Sequence, residues 1–228
     1  LTTIQIKNKA LDLRIDCPSG INADEASQCN RGQTQWVYGP PTNAQLTRPE
    51  LKREASTILM KLIRCNLSHA TAIQTIFNAA IRDSTAVYDY EPRSLETVQS
   101  WIATKAANDL PLIGFENEIG ELMGFASYGP FRNWPAYQFT VEHSVYVDER
   151  FRGRGLGRKL LIELISLAAR NQYHMMIGVI DGENQASITL HRALGFDHCG
   201  TIKHAGRKFD RWLDVHLYQR ILDPPDEA

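Results

Sequence analysis

Cysteine is scarce in this chain and badly placed for bridging or ligation. Cys17, Cys29, Cys65 and Cys199 form no Cys-x-x-Cys pair and no metal-ligand spacing. That removes disulfide scaffolds and zinc ribbons, and it suits free thiols in the cytoplasm. No apolar run approaches the roughly 18 residues of a membrane span. No basic n-region followed by an apolar stretch marks a secretory signal, and Asp12, Asp16, Asp24 and Glu25 do not suit a mitochondrial transit peptide. Charge of neither sign dominates: 25 Lys and Arg against 26 Asp and Glu leave a formal net charge of −1. A chain so balanced has no overall field for nucleic acid or an anionic membrane. Repeats and low-complexity tracts are also missing. The 228 residues can bury the core of one sizeable domain.

The chain is uneven along its length. Residues 1–59 carry the loop signals Cys17-Pro18-Ser19-Gly20 and Gly39-Pro40-Pro41-Thr42-Asn43, and hydrophobic periodicity is weak up to Leu51. The first methionine is Met60. Residues 1–59 therefore read as an extension outside the fold, or as upstream sequence translated from a misplaced start. The rival reading is a small regulatory or docking segment. Residues 60–222 read as the domain and 223–228 as a tail.

Within the domain, Lys61-Leu62-Ile63-Arg64-Cys65 reads as a first strand. Ser68 is positioned to cap a helix that carries Ile73, Ile76, Phe77, Ala80 and Ile81 at helical spacing. Pro92 and Ser94 precede a second helix with Leu95, Val98, Trp101 and Ile102 on one face. Strands follow at Leu112–Glu116, Glu121–Tyr128 and Tyr137–Val147, the first two joined by a turn over Asn117 to Gly120. A helix runs from Leu156 to about Asn171, then a buried strand at Met175–Ile180, a helix opened by Asn184, and strands near His198–Ala205 and Trp212–Ile221. Strands interleaved with helices in this way predict an α/β fold, a central sheet with helices on both faces.

The stretch richest in chemistry is Arg152-Gly153-Arg154-Gly155-Leu156-Gly157-Arg158, between an apolar strand and a strongly helical segment. Strand, glycine-rich turn and helix together present backbone N–H groups to phosphate oxygens. Two familiar phosphate fingerprints fail on spacing. The dinucleotide pattern needs glycine or alanine at position 158, where Arg158 stands, and no Gly-Lys-Ser or Gly-Lys-Thr triplet closes a P-loop. The pattern that fits is R-x-x-G-x-G, read from Arg152 to Gly157 or shifted by two positions. Taken alone, a glycine-rich helix start with solvated arginines is the alternative reading of the loop.

That loop, with Asn184 opening a helix that closes in Leu194-Gly195-Phe196, resembles the two signatures of the GNAT acyl-CoA N-acyltransferases. Thr140-Val141-Glu142-His143-Ser144-Val145-Tyr146-Val147 and Lys208-Phe209-Asp210-Arg211-Trp212-Leu213-Asp214 are similar to blocks of the phosphinothricin and methionine sulfoximine acetyltransferases within that family. The resemblance covers roughly residues 60 to 222. It implies the GNAT fold, a mixed, mostly antiparallel sheet with one splayed strand pair holding acetyl-CoA. It also implies transfer of acetyl from acetyl-CoA, a co-substrate, to the α-amino group of a small amino-acid analogue, without a metal and in a homodimer. An enzyme acting on a protein N-terminus or polyamine is one alternative, and a non-catalytic acyl-CoA binding module is another.

The site residues follow from the residues and from that resemblance together. An amine is mostly protonated at neutral pH, so attack needs a base. Glu142, flanked by apolar strand residues, is the candidate. Strand alternation puts it on the side of Ser144 and Tyr146, opposite Val141, His143 and Val145. An outward-facing glutamate paired to a nearby arginine is the alternative. The resemblance makes Val145, Tyr146 and Val147 backbone contacts for the cofactor arm and thioester carbonyl, and Arg152, Gly153, Arg154, Gly155, Leu156, Gly157 and Arg158 the pyrophosphate loop. The same resemblance puts Asn184 against the pantetheine or a strand carbonyl, with Ser187 close to the cofactor. His191 stands where most of the family has a tyrosine acid; the phosphinothricin-type branch also has histidine there. A histidine hydrogen-bonded in a semi-polar core is the other reading. Arg132, Pro135, Ala136, Tyr137, Lys208 and Arg211 are the candidate substrate contacts, with Phe131 and Trp134 as an apolar wall.

Overall fold

The computed structural model describes residues 60–222. The extension at 1–59, the tail at 223–228 and the thiols of Cys17 and Cys29 lie outside the described residues.

Among the described residues, seven strands build one open sheet with four α-helices on its two faces. β1 (Lys61–Arg64) leads through a short 3-10 turn to α1 (Ala70–Asp83) and α2 (Leu95–Ala107). β2 (Leu112–Glu116), β3 (Leu122–Pro130) and β4 (Thr140–Val147) form an antiparallel meander. Then come α3 (Leu156–Arg170), β5 (Met175–Asp181), α4 (Gln185–Ala193), β6 (Asp197–Lys208) and β7 (Arg211–Ile221). The strand order is β1-β2-β3-β4-β5-β7-β6, with a single parallel pair, β4 and β5.

Two cores sandwich the sheet. Ile73, Phe77, Val98 and Ile102 of α1 and α2 pack on Leu112, Leu122 and Phe125. Leu160, Leu161 and Leu164 of α3 pack on Ile113, Phe115, Met123 and Val141 of the opposite face. Leu112 and Ile113 alternate between the two cores, which is why β2 reads as an almost unbroken apolar run. In β3 a bulge interrupts the alternation: Phe115 pairs with Gly124 but Glu116 with Leu122, leaving Met123 unmatched.

Several boundaries differ from the sequence reading for local reasons. Asn66, not Ser68, caps the first helical turn: its side chain accepts the Ser68 N–H at 2.9 Å, while His69 Nδ1 accepts the Asn66 N–H at 3.0 Å. Ser94 caps α2 by accepting the Thr97 N–H. The third strand starts at Thr140 rather than Tyr137, because Pro135, lacking an N–H, opens a 3-10 turn over Pro135–Tyr137. β6 runs on to Lys208 by way of bulges at His198/Gly200 and Ile202/Gly206. Cys65 and Cys199 are both free, and burial pushes the Cys65 thiol up to about 12.

Candidate active site

The parallel ladder between β4 and β5 is short. It pairs Thr140 with Met175, Val141 with Met176 and Glu142 with Ile177, and then it stops. β4 runs on to Val147 and β5 to Asp181, so the two strands part from residue 143 onward. The other edge of β4 fixes which amides face the gap. Asp148 N–H donates to Met123 O at 3.0 Å and Phe131 N–H to Thr140 O at 3.1 Å, so the even-numbered residues of β4 bond toward β3. The His143 N–H serves the last of the β4/β5 pairings, and the amides of Val145 and Val147 point into the gap, where β5 offers them no ladder partner. Main-chain donors left in this way are open to an acceptor from a ligand.

At the far end of β4 the chain turns into α3. Gly153 and Gly155 hold left-handed φ of 75° and 76°, and Gly155 caps α3 with no side chain to satisfy the first helical amides. The earliest helical bond from this end is Lys159 N–H to Gly155 O at 3.1 Å. The N–H groups of Leu156, Gly157 and Arg158 are thus open to an anion at the positive end of a 15-residue helix. The glycines serve backbone geometry rather than clearance, since a Cβ at Gly153 or Gly155 would meet nothing within 4 Å. Arg152 Nε donates to Val147 O at 3.3 Å, and Arg154 lies over the Phe151 ring.

Glu142 is half-buried at the start of the gap, on the α1/α2 face. Beyond it on that face Tyr146 packs against Phe77 and Phe125. Desolvation raises its carboxyl above the ordinary range, and Arg132, 3.7 Å away, partly offsets this. The two readings of Glu142 thus coexist in one residue, because the pair is loose and more than a third exposed on each side. Arg132 also stacks on Phe131, at 4.1 Å from the ring centroid, and Tyr137 meets Phe131 edge-on at 5.6 Å. Pro135 and Ala136 form the turn that carries Tyr137, while Trp134 is 75 % exposed.

Asn184 is the N-cap of α4, accepting the Ser187 N–H at 3.1 Å. His191, in the last turn, is only 4 % exposed, and neither nitrogen is available to a ligand. Nδ1 bonds to the Ser187 carbonyl at 2.7 Å, and Nε2 to His143 Nε2 at 3.0 Å. The structure thus places His191 as a bonded core histidine rather than as a donor facing the gap. Two more candidates are engaged elsewhere. Lys208 gives its ammonium to the carbonyls of Ile81, Ser84 and Val87, and Arg211 is paired with Glu183. Its partner Glu183 lines a cavity of about 300 Å³ together with Asp181, His204, Trp212, Asp214 and His216. Tyr88 reaches Asp181 at 3.3 Å, and burial with that carboxylate pushes its phenol up to about 12. Among the described residues no cluster of His, Cys, Asp or Glu is placed to hold a metal ion, and no helix is long and apolar enough to cross a membrane.

Sequence reasoning missed His143 and Arg93. His143 sits in a strand between apolar neighbours, and nothing local marks its partner 48 residues on. Arg93 lies 4.4 Å from the centroid of the Phe77 ring, close enough to Tyr146 to favour its ionised form, although burial raises the Tyr146 phenol overall. The Pro92-Arg93-Ser94 helix start was legible, but the face that it serves was not.

Comparison with known proteins places this geometry in context. Residues 73–196 match the acetyltransferase (GNAT) family. Over 156 residues the chain is 42% identical to an L-methionine sulfoximine/L-methionine sulfone acetyltransferase of Pseudomonas aeruginosa, covering 68% of this chain and 91% of that protein. A phosphinothricin N-acetyltransferase of Streptomyces coelicolor is 35% identical over 150 residues, 64% of this chain and 87% of the relative. The crystal structure of a Sinorhizobium meliloti phosphinothricin acetyltransferase in complex with acetyl-CoA superimposes with a TM-score of 0.70 at 33% identity, covering 74% of this chain and 95% of that one.

Proposed function

The chain belongs to the acetyltransferase (GNAT) family, and from that premise we propose that it transfers the acetyl group of acetyl-CoA to the α-amino group of small amino-acid analogues such as phosphinothricin, methionine sulfoximine and methionine sulfone. The observation that carries this reading is the early end of the β4/β5 ladder, which leaves Glu142 at the start of a gap lined by the free amides of Val145 and Val147.

The residues present fit acetyl-CoA. The open first-turn amides of α3 and the arginines 152, 154 and 158 suit its pyrophosphate, and the gap suits its pantetheine arm. When bound, acetyl-CoA supplies the acetyl group as a thioester. Glu142 takes a proton from the ammonium of the acceptor, directly or through one water, and the freed amine attacks the carbonyl carbon. The N–H groups of Val145 and Val147 donate to the carbonyl oxygen as negative charge builds there. The C–S bond breaks, the amide C–N bond remains, and the second nitrogen proton leaves to the thiolate sulfur or to solvent. With both its nitrogens engaged, His191 supports this site from α4 and exchanges no proton with the substrate. Arg132 and Tyr137 bind the carboxylate or phosphinate of the acceptor, and Phe131 and Trp134 face its side chain. We place the enzyme in the cytoplasm as a homodimer, with residues 60–222 as its catalytic domain.

A thiol-release assay with acetyl-CoA and a panel of amines checks the reading. Turnover should be highest with methionine sulfone, methionine sulfoximine or phosphinothricin. Coenzyme A binding without turnover of any amine would instead mark a binding module. Gly155→Ala tests the loop. The new methyl meets no neighbour but must adopt a left-handed φ, costing about 1–2 kcal/mol. Tm should fall by about 2–8 °C, and the KM for acetyl-CoA should rise while the KM for the amine does not.

A further inference from the structure

His143 and His191 form a buried pair whose proton positions the hydrogen bonds dictate. The Ser187 carbonyl can only accept, so His191 Nδ1 at 2.7 Å carries the hydrogen. A neutral His191 then has a bare Nε2, and the 3.0 Å contact to His143 Nε2 requires His143 to donate. The rings are nearly coplanar, at 17° with centroids 5.0 Å apart, as an in-plane N–H···N bond requires. One consequence is visible in the structure: His143 Nδ1, left without hydrogen, is buried and has no partner among the described residues.

The pair lies where β4 leaves β5. His143 is the first residue beyond the last parallel pairing, and His191 belongs to the helix that follows β5. Gly178 of β5 lies against both rings. A Cβ there would come within 3.1 Å of His143 Nε2 and of His191, so glycine at 178 leaves room for the contact. The Phe196 ring meets both imidazoles edge-on.

We propose that His143 is a positioning residue, the β4 half of a neutral imidazole latch that ties α4 to β4 across the mouth of the gap and sets its width. The latch rests on the reading of that gap as the acyl-donor channel. Burial lowers both imidazoles, His143 down to about 3, so the bond needs no charge and persists through the physiological range. The groups that face the pair are Ser187 of α4, Gly178 of β5, Phe196, and Tyr218 of β7 at 6.4 Å from His191. The cations adjacent to the pair along these elements are Arg192, the next residue on α4, and Arg220 of β7, two residues beyond Tyr218 and bonded to the Leu194 carbonyl.

The test is 15N imidazole NMR on the whole chain, joined to kinetics. In the unmodified protein His191 should show a protonated Nδ1 and a bare Nε2, and His143 the reverse, with neither ring titrating between pH 5 and 8. His143→Leu should raise the KM for acetyl-CoA about tenfold, the scale of one unmade buried hydrogen bond, and leave the shape of the pH–rate profile unchanged. His143→Gln, whose amide can donate to His191 Nε2, should restore most of that affinity. An Nε2–H tautomer on His191, or titration of either ring in that range, would overturn the latch. So would a folded His143→Leu variant with unaltered KM. The NMR readout needs no turnover, so it tests the latch even if the chain acetylates none of the proposed amines.

Discussion

Glu142→Gln should lower kcat at pH 7 by about 10²- to 10³-fold, with the KM for acetyl-CoA held within about threefold. Glutamine keeps the shape of the side chain and removes its basicity, so the geometry of the gap survives while proton removal does not. The pH–rate profile makes the assignment sharper. Desolvation lifts the Glu142 carboxyl and Arg132 restrains it, so the acid limb of kcat/KM in the unmodified enzyme should lie above the ordinary carboxylate range. A base must be unprotonated to act, so activity falls as pH drops through that value. The glutamine variant should lose this limb altogether. An unchanged rate would leave Glu142 as nothing more than the ion-pair partner of Arg132.

The parts of this site legible in sequence are those written in contiguous residues. The glycines and arginines from 152 to 158 announce a helix start with open first-turn amides, because φ and the orphan amides of a helix are local properties. Asn184 announces its cap, and period-two alternation puts Glu142 and Tyr146 on one face. What could not be read depends on residues that meet only after the sheet has formed. The parting of β4 and β5 is a property of two strands and is coded in neither. The His143–His191 bond needs the parallel crossover through α3, which brings β5 beside β4, and then the return of α4 over the pair. The order β5-β7-β6 also places the last strand of the chain inside the sheet, and no local propensity reports that. The surroundings of Lys208 were not legible for the same reason, since the carbonyls that it bonds lie more than 120 residues earlier.

Lys208→Met should destabilise the domain by about 3 kcal/mol, within the range for breaking buried charge-assisted hydrogen bonds, and lower Tm by about 6–12 °C. The residue is 4 % exposed, and its ammonium bonds the carbonyls of Ile81 at 2.6 Å, Ser84 at 2.9 Å and Val87 at 2.6 Å. Ile81 lies in the last turn of α1, where carbonyls have no helical partner and where a cation also meets the negative end of the helix. Lys208 therefore acts as the C-terminal cap of α1, delivered from the far end of the sheet. Its delivery depends on a strained turn: Phe209 and Asp210, joining β6 to β7, both hold left-handed φ, of 50° and 57°. Methionine preserves the length of the stem but leaves three carbonyls unpaired, two of them beyond the helix end. A substrate role and a capping role separate cleanly in one experiment. If the ammonium binds a carboxylate of the acceptor, Lys208→Met raises the KM for the amino acid and leaves the melting curve in place. If it caps α1, the melting curve moves and the enzyme that remains folded keeps its KM; the three short bonds to the α1 end predict the second outcome.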